Sequence, residues 1–342
     1  MSEPYVPAVE VTRGPATESI HICAAAVVDH DGHLIAQLGS AEFETFSRSS
    51  LKPFQALPTV LRGFPDRFGL TDRHLAVICA SHSGEERHVT AVREILDILG
   101  ATDDDLQCGV HVPLHLRTSD DTIPARDTFS PIHNNCSGKH AGMLALAKIL
   151  DVPFTGYLDP QSPVQQLIRS RVAGILGLDA EAMPFGVDGC SVPNYLVPLR
   201  ALAYGYARLA ATAGDKPARD EECFDGCHKI VSAMRKHPEM ISGEGRFDLN
   251  LARATNGRVF SKAGGEAVEC VGIPEKGWGV AVKILDGASR AVGPVVVGIL
   301  DQLGVLSDEE RNALDQYIHP VLRNHRGIDI GTMHMVAKLE RG

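Results

Sequence analysis

Ser49 and Lys52 stand three residues apart in "FSRSSLKPFQALPTVLRG" (46–63), a spacing that can set a hydroxyl nucleophile beside the amine that takes its proton. If a helix begins at Ser49 or Ser50, the two side chains lie one turn apart, while Leu51, Phe54, Leu57 and Leu61 face a core. Pro53 places that start within a few residues upstream, because proline has no donor and is tolerated only in a first turn. Ser50 cannot take the place of Ser49, since residues two apart point to different faces. Taken alone, S-x-x-K reads first as an N-cap serine followed by a surface lysine.

Two further stretches bear on that choice. In "HLAVICASHSGEERHVTAVREILDIL" (74–99) an apolar run leads into Ser81-His82-Ser83, followed by a capping box with Ser83 as N-cap and Glu86 at the third helical position. Ser81 then precedes a helix N-terminus, whose amides and dipole favour an anion, either a substrate carboxylate or a developing oxyanion. In "VFSKAGGEA" (259–267) Lys262 follows a strand-like run, and Gly264-Gly265 leave room for a ligand to approach the backbone. An early S-x-x-K helix, an S-x-S loop and a late Lys-x-Gly strand together reproduce the layout of serine β-lactamases and penicillin-binding proteins.

The elements that must position these groups are legible as a pattern. Short β-branched runs open the chain, and Asp29 to Gly32 ("DHDG") separates "ICAAAVV" from "HLIAQL" as a hairpin would. Amphipathic helical stretches follow at 51–61, 84–99, 138–150, 163–176, 193–212 and 221–236, and strand-like runs return at "RVFSKA", "EAVECVGI" and "GWGVAVKIL". An apolar helix, "RAVGPVVVGILDQLG", and a short polar one, "SDEERNALDQYIHPVL", come after them. This order predicts an α+β fold with an antiparallel sheet built from both chain ends and a helical layer inserted between. One catalytic unit is expected over 1–342, with a sheet subdomain at about 1–47 plus 255–342 and a helical subdomain at about 48–254.

Composition narrows the function. Among 342 residues, 43 acidic against 33 basic side chains give a formal charge of -10 with no Lys/Arg-rich block, which argues against nucleic acid. No apolar run approaches the roughly 18 residues of a membrane span, and "MSEPYVPAVEVTRG" has neither a basic nor an apolar leader region, so a cytoplasmic address is expected. Eight cysteines scattered over this length form no disulfide framework and read as reduced. Cys223, Cys227 and His228 have metal-ligand types, but Cys227, Ile230, Val231 and Met234 trace one helical face and read as core. By spacing alone Cys136 and Cys190, in "PIHNNCSGKHAGMLALAKIL" and "FGVDGCSVPNY", are buried thiols, because C-x-x-K is no recognised zinc signature.

"RSSLKPFQ", "SHSGE", "NNCSGKHAGML", "DGCSVPNY" and "SKAGGEA", in that order over nearly the whole chain, closely resemble the L-asparaginase II family of the Rhizobium etli type. The resemblance implies a serine β-lactamase-like fold, a homodimer, and hydrolysis of L-asparagine to L-aspartate and ammonia. By motif it implies two serine-lysine pairs, Ser49 with Lys52 and Ser81 with Lys262. It places Arg48, Asp188 and His140 at the substrate, and makes Cys136, Lys139 and Cys190 ligands of an auxiliary zinc ion, with no organic cofactor. Two alternatives stay open: a related amidohydrolase acting on glutamine or a β-lactam, and a non-catalytic amino-acid or zinc sensor on the same fold.

Overall fold

The computed structural model describes residues 3–117, 124–213 and 221–342. The chain opens with β1 (Val6–Arg13), β2 (Ala16–Asp29), β3 (Leu34–Leu38) and β4 (Glu44–Phe46). Helices α1 (Lys52–Leu61), α2 (Phe64–Phe68), α3 (Asp72–Ile78), α4 (Glu86–Leu99), α5 (Ser137–Ile149) and α6 (Pro163–Leu176) follow. Strands β5 (Phe185–Val187) and β6 (Pro193–Pro198) lead into α7 (Leu199–Thr212), α8 (Glu221–Lys236), α9 (Pro238–Ile241) and α10 (Phe247–Ala254). The last third carries β7 (Phe260–Gly264), β8 (Val268–Ile273), β9 (Trp278–Ile284), α11 (Val292–Gln302), α12 (Asp308–Ala313), α13 (Asp315–Ile318), β10 (Val321–Arg323), β11 (Asp329–Met335) and β12 (Glu340–Arg341).

Two compact units result. The first combines Met1–Ser50, Val197–Ala211 and Asn250–Gly342; the second combines Leu51–Leu196 and Thr212–Leu249. The first is the sheet unit, and it is α+β as expected. Its strands run in the order β10-β11-β1-β2-β9-β8-β7, with β3 on β2 and β12 on β3. The recorded pairings are antiparallel, and both chain ends contribute: Val9 faces Met335 across β1 and β11, and Ala25 faces Val282 across β2 and β9. β2 carries Cys23 to Val28 as an unbroken buried run where a half-solvated strand would alternate. Helix α7 meets β9 backbone to backbone, because a Cβ on Gly279 would stand 2.0 Å from the Ala203 carbonyl oxygen. Helix α11 packs on β1, β8, β9 and β11.

The second unit is helical. α1 packs on α5, α6 and α8, and α3 packs on α4, α5 and α8. Its closest contacts are made by glycines. A Cβ on Gly138 would stand 2.0 Å from the Val77 carbonyl oxygen, and one on Gly142 would stand 2.6 Å from the Ile78 side chain, so α5 can lie directly on the end of α3. Gly226 likewise lets α8 approach Leu57 and Leu61 of α1. Cys227, Ile230, Val231 and Met234 are buried, as their spacing predicts. Among the described residues no helix is long and apolar enough to cross a membrane.

Three local expectations differ from what forms. Helix α1 starts at Lys52, after a 3₁₀ turn over Arg48–Leu51, where a start at Ser49 or Ser50 is predicted. Helix α4 is capped by Glu85, whose amide donates to His88 Nδ1 at 3.2 Å, and not by Ser83. Ser83 lies two residues before that cap, where its amide pairs with the Ser242 carbonyl and Gly84 turns the chain with φ 76°. Residues 193–198, predicted as the start of a helix, form β6, which pairs Asn194 with Gly186 and Tyr195 with Phe185.

Candidate active site

In the helical unit α1 begins with a lysine that points inward. Lys52 is 1% exposed, and its Nζ donates to Ser81 Oγ at 2.9 Å, to the Ala80 carbonyl and to the Asn135 carbonyl at 3.4 Å. Three acceptors take the three donors of an ammonium group. Burial, the largest influence, lowers the Lys52 amine below its ordinary range; the Cys136 thiolate opposes this and the Lys139 charge adds to it.

Ser81 is held from both sides. Its amide donates to the Ile241 carbonyl at 2.9 Å, its carbonyl accepts from Arg246 Nη1 at 2.6 Å, and the Ser83 amide reaches the Ser242 carbonyl at 2.7 Å. His82 locks the loop to α5. Its Nδ1 accepts the Gly84 amide at 3.1 Å, so its Nε2 proton goes to Ser137 Oγ at 2.9 Å, and Ser137 Oγ donates onward to the Ile132 carbonyl at 2.7 Å. The serine expected before a helix N-terminus is therefore placed by backbone pairing with residues 241–242 and by a histidine.

Helix α5 brings the sulfur groups. Asn134 Oδ1 accepts the Cys136 amide at 2.8 Å, while its Nδ2 donates to the Cys108 and Gly109 carbonyls, which fixes the residue just before α5. One turn on, Lys139 Nζ donates to Cys190 Sγ at 2.8 Å. Cys190 sits on the turn between β5 and β6, where Ser191 has φ 75° and Asp188 Oδ2 lies 4.0 Å from Cys190 Sγ. The Cys190 side chain, then the Lys52 and Lys139 charges, hold the Cys136 thiol well below its ordinary range against burial, while Cys136 and burial push the Cys190 thiol up. Burial alone would lower the Lys139 amine, but the Cys190 and Cys136 sulfurs outweigh it and raise it. The Lys139 amine and the Cys190 sulfur in contact, with Cys136 one turn before Lys139, are of ligand types that could fit tetrahedral zinc once they lose their protons.

His140 follows Lys139 and is fully buried. Burial, then the Lys139 and Lys52 charges, hold its ring well below the ordinary histidine range, so it is neutral. Its Nδ1 lies 2.5 Å from the Tyr157 hydroxyl. The helical unit thus gathers Lys52, Ser81, Cys136, Lys139, His140, Asp188 and Cys190 from α1, the α3–α4 loop, α5 and the β5–β6 turn.

The sheet unit carries the remaining candidates. Ser49 is half-buried on the 3₁₀ turn, and its hydroxyl has no hydrogen-bond partner among the described residues. Arg48, immediately before it, has φ 52°, a conformation rare outside glycine and typical of residues held for function. Lys262 lies on β7 opposite Cys270, is fully buried, and donates from Nζ to the Ala263 carbonyl at 2.6 Å. The Gly264-Gly265 pair accommodates this chain's own side chain: a Cβ on Gly265 would stand 2.8 Å from Arg48 Cζ, so the arginine occupies space expected for a ligand.

Asn134, Arg246 and Tyr157 contact the candidate site residues without having been singled out in the sequence. Asn134 carries a usable signal, an asparagine two residues before the residue that precedes a helix. Arg246 and Tyr157 carry none, because their partners lie 165 and 17 residues away with no periodic relation to them.

Among solved structures, the chain is similar to a β-lactamase from Mycobacterium bovis, at 12% identity and a TM-score of 0.41 over 82% of this chain and 94% of that one. It is also similar to Mglu in its native form in 4.3 M NaCl, at 18% identity and a TM-score of 0.35 over 86% of this chain and 60% of that one. No curated protein matches it. Residues 9–335 match the family described as L-asparaginase II, from the first strand to the last residue of β11 and across all of the motifs described above. The chain belongs to the L-asparaginase II family, a family of asparaginase-type amidohydrolases.

Proposed function

We propose that the protein hydrolyses L-asparagine to L-aspartate and ammonia through a serine acyl-enzyme, as a cytoplasmic homodimer of the Rhizobium etli type. The observation that carries the reading is the buried Lys52 amine on Ser81 Oγ at 2.9 Å. A lysine serves as base only when neutral, so its pKa must fall below the ordinary lysine value. Burial and a second lysine charge both act on Lys52 in that direction. A solvated surface lysine would need neither.

Ser49, three residues before Lys52 in the chain, is the proposed nucleophile, and Ser81 is the proton relay on Lys52. Ser49 Oγ bonds to the side-chain amide carbon while its proton passes to the neutral lysine. The C–N bond then breaks, and ammonia leaves with that proton. Water adds to the ester carbon, its proton moves to the lysine, and aspartate departs as the serine oxygen is reprotonated. Lys262 is the second lysine of this chemistry. Arg48 contributes to binding of the substrate α-carboxylate and Asp188 to binding of the α-ammonium group.

Cys136, Lys139 and Cys190 would hold zinc. When bound, the ion supplies positive charge that organises the pocket and raises substrate affinity, and the serine chemistry persists without it. Ammonia release from asparagine, glutamine and a chromogenic β-lactam, measured beside binding of each, tests the function. Turnover of asparagine above the other two supports it. Binding of asparagine without ammonia would favour the sensor, and preference for either of the others would favour the related hydrolase.

A further inference from the structure

The Tyr157 hydroxyl decides which nitrogen of His140 carries the proton. Tyr157 is 1% exposed, and its oxygen has two partners among the described residues: the Gln107 amide at 3.0 Å and His140 Nδ1 at 2.5 Å. The amide can only donate. If His140 Nδ1 donated as well, the buried phenol proton would have no acceptor, at a cost of about 1–3 kcal/mol. The phenol therefore donates to Nδ1. His140 is neutral on this ground alone, and its proton resides on Nε2.

That Nε2–H is buried and has no hydrogen-bond partner among the described residues. A buried donor left unpaired is uncommon and calls for a physical account. The ring follows Lys139 on α5, and the Lys139 amine lies on Cys190 Sγ at 2.8 Å, so His140 adjoins the candidate site. A fixed N–H can bind an oxygen acceptor and cannot bind an ammonium group.

We propose that Tyr157 is a positioning residue that holds His140 as the Nε2–H tautomer, so that this N–H donates to a carboxylate or carbonyl oxygen of the bound amino-acid substrate. The inference rests on the amidohydrolase reading above and extends it to a residue that no motif contains. Gln107 belongs to the same device, because its amide orients the phenol through the lone pair that Nδ1 does not face.

The test uses the full chain labelled with ¹⁵N-histidine and observed by long-range ¹H–¹⁵N NMR with and without L-aspartate, together with asparagine kinetics. In the wild type, His140 Nδ1 is expected to be unprotonated, and aspartate is expected to shift the Nε2–H resonance. Tyr157→Phe is expected to raise KM about tenfold, the size of one hydrogen bond, with a smaller change in kcat, and to release the tautomer. His140→Gln keeps an N–H donor that needs no tautomer control, so adding Tyr157→Phe to it is expected to leave KM unchanged. A protonated Nδ1 in the wild type would overturn the proposal. So would an Nε2–H indifferent to aspartate, or Tyr157→Phe with wild-type KM and tautomer. Aspartate binding with the expected shift but no ammonia release would overturn the amidohydrolase reading and leave this one standing, since neither NMR readout needs turnover.

Discussion

Lys52 Nζ lies 2.9 Å from Ser81 Oγ, joining the first residue of α1 to a loop 29 residues further along the chain. Ser81 follows α3, and α5 lies against the end of α3 at a distance that leaves no room for a Cβ on Gly138.

The pH dependence follows from the direction of the Lys52 shift. Burial lowers its pKa, and the proposed mechanism uses the neutral form, so kcat/KM should rise with pH through a pKa below the ordinary lysine value. Stability should change in the same sense. The unfolded chain binds this proton more tightly, so stability rises with pH between the folded and ordinary values. Lys52→Met should abolish that slope and lower kcat about 10²- to 10⁴-fold. Lys262→Ala is expected to lose activity on the same scale. Rate-pH profiles of the three proteins check this, and a variant with wild-type kcat removes its lysine from the mechanism.

Gly138→Ala should damage the site without touching any reacting group. Its Cβ would meet the Val77 carbonyl oxygen, so α3 and α5 must separate, at about 1–3 kcal/mol of stability. Because Ser81 follows α3 and Lys139 rides on α5, kcat/KM should fall as well. Thermal melts and asparagine kinetics on the same preparation measure both, and an unshifted melt would contradict the close packing.

Much of the architecture is readable from pattern. The hairpin at Asp29–Gly32 and helices α1, α4, α5, α6 and α8 all follow from local apolar pattern and turn residues. Where long-range partners decide, periodicity fails. Residues 193–198 read as helix until Asn194 and Tyr195 find partners across a turn, and Ser83 reads as a cap until Ser242 claims its amide. Residues 197–211 belong to the sheet unit although their helical period matches that of their neighbours. At the candidate site, the motifs name candidates only, while the Lys52–Ser81 contact, the Arg48 guanidinium beside Gly265 and the Tyr157–His140 bond are tertiary facts.

Asp188 and Arg48 should divide substrate recognition between them. Asp188→Asn removes the negative charge proposed to meet the α-ammonium group, so KM for asparagine should rise while the fold is kept. Arg48→Lys should raise KM as well, because an ammonium group lacks the paired donors that fit a carboxylate. Initial-rate kinetics with circular dichroism as the fold control measures this. An unchanged KM in well-folded Asp188→Asn would remove the ammonium contact.

Zinc binding should weaken as pH falls, because protons compete for both sulfurs and for the Lys139 amine. Protein purified without chelator and dialysed against zinc is expected to retain the metal, and Cys136→Ala and Cys190→Ala are expected to lose it. Removing the metal should raise KM and leave kcat at saturating asparagine largely intact. Absence of zinc after supplementation would defeat the site, and loss of kcat on removal would defeat the auxiliary role.

The most direct test of a serine acyl-enzyme is mass spectrometry of the protein quenched with acid during steady-state turnover of asparagine, followed by peptide mapping. The expected result is an aspartyl ester on the peptide containing Ser49, absent from Ser49→Ala, which should still bind asparagine while its turnover falls to near background. An ester on Ser81, or Ser49→Ala retaining most of the wild-type kcat, would contradict the assignment of the nucleophile.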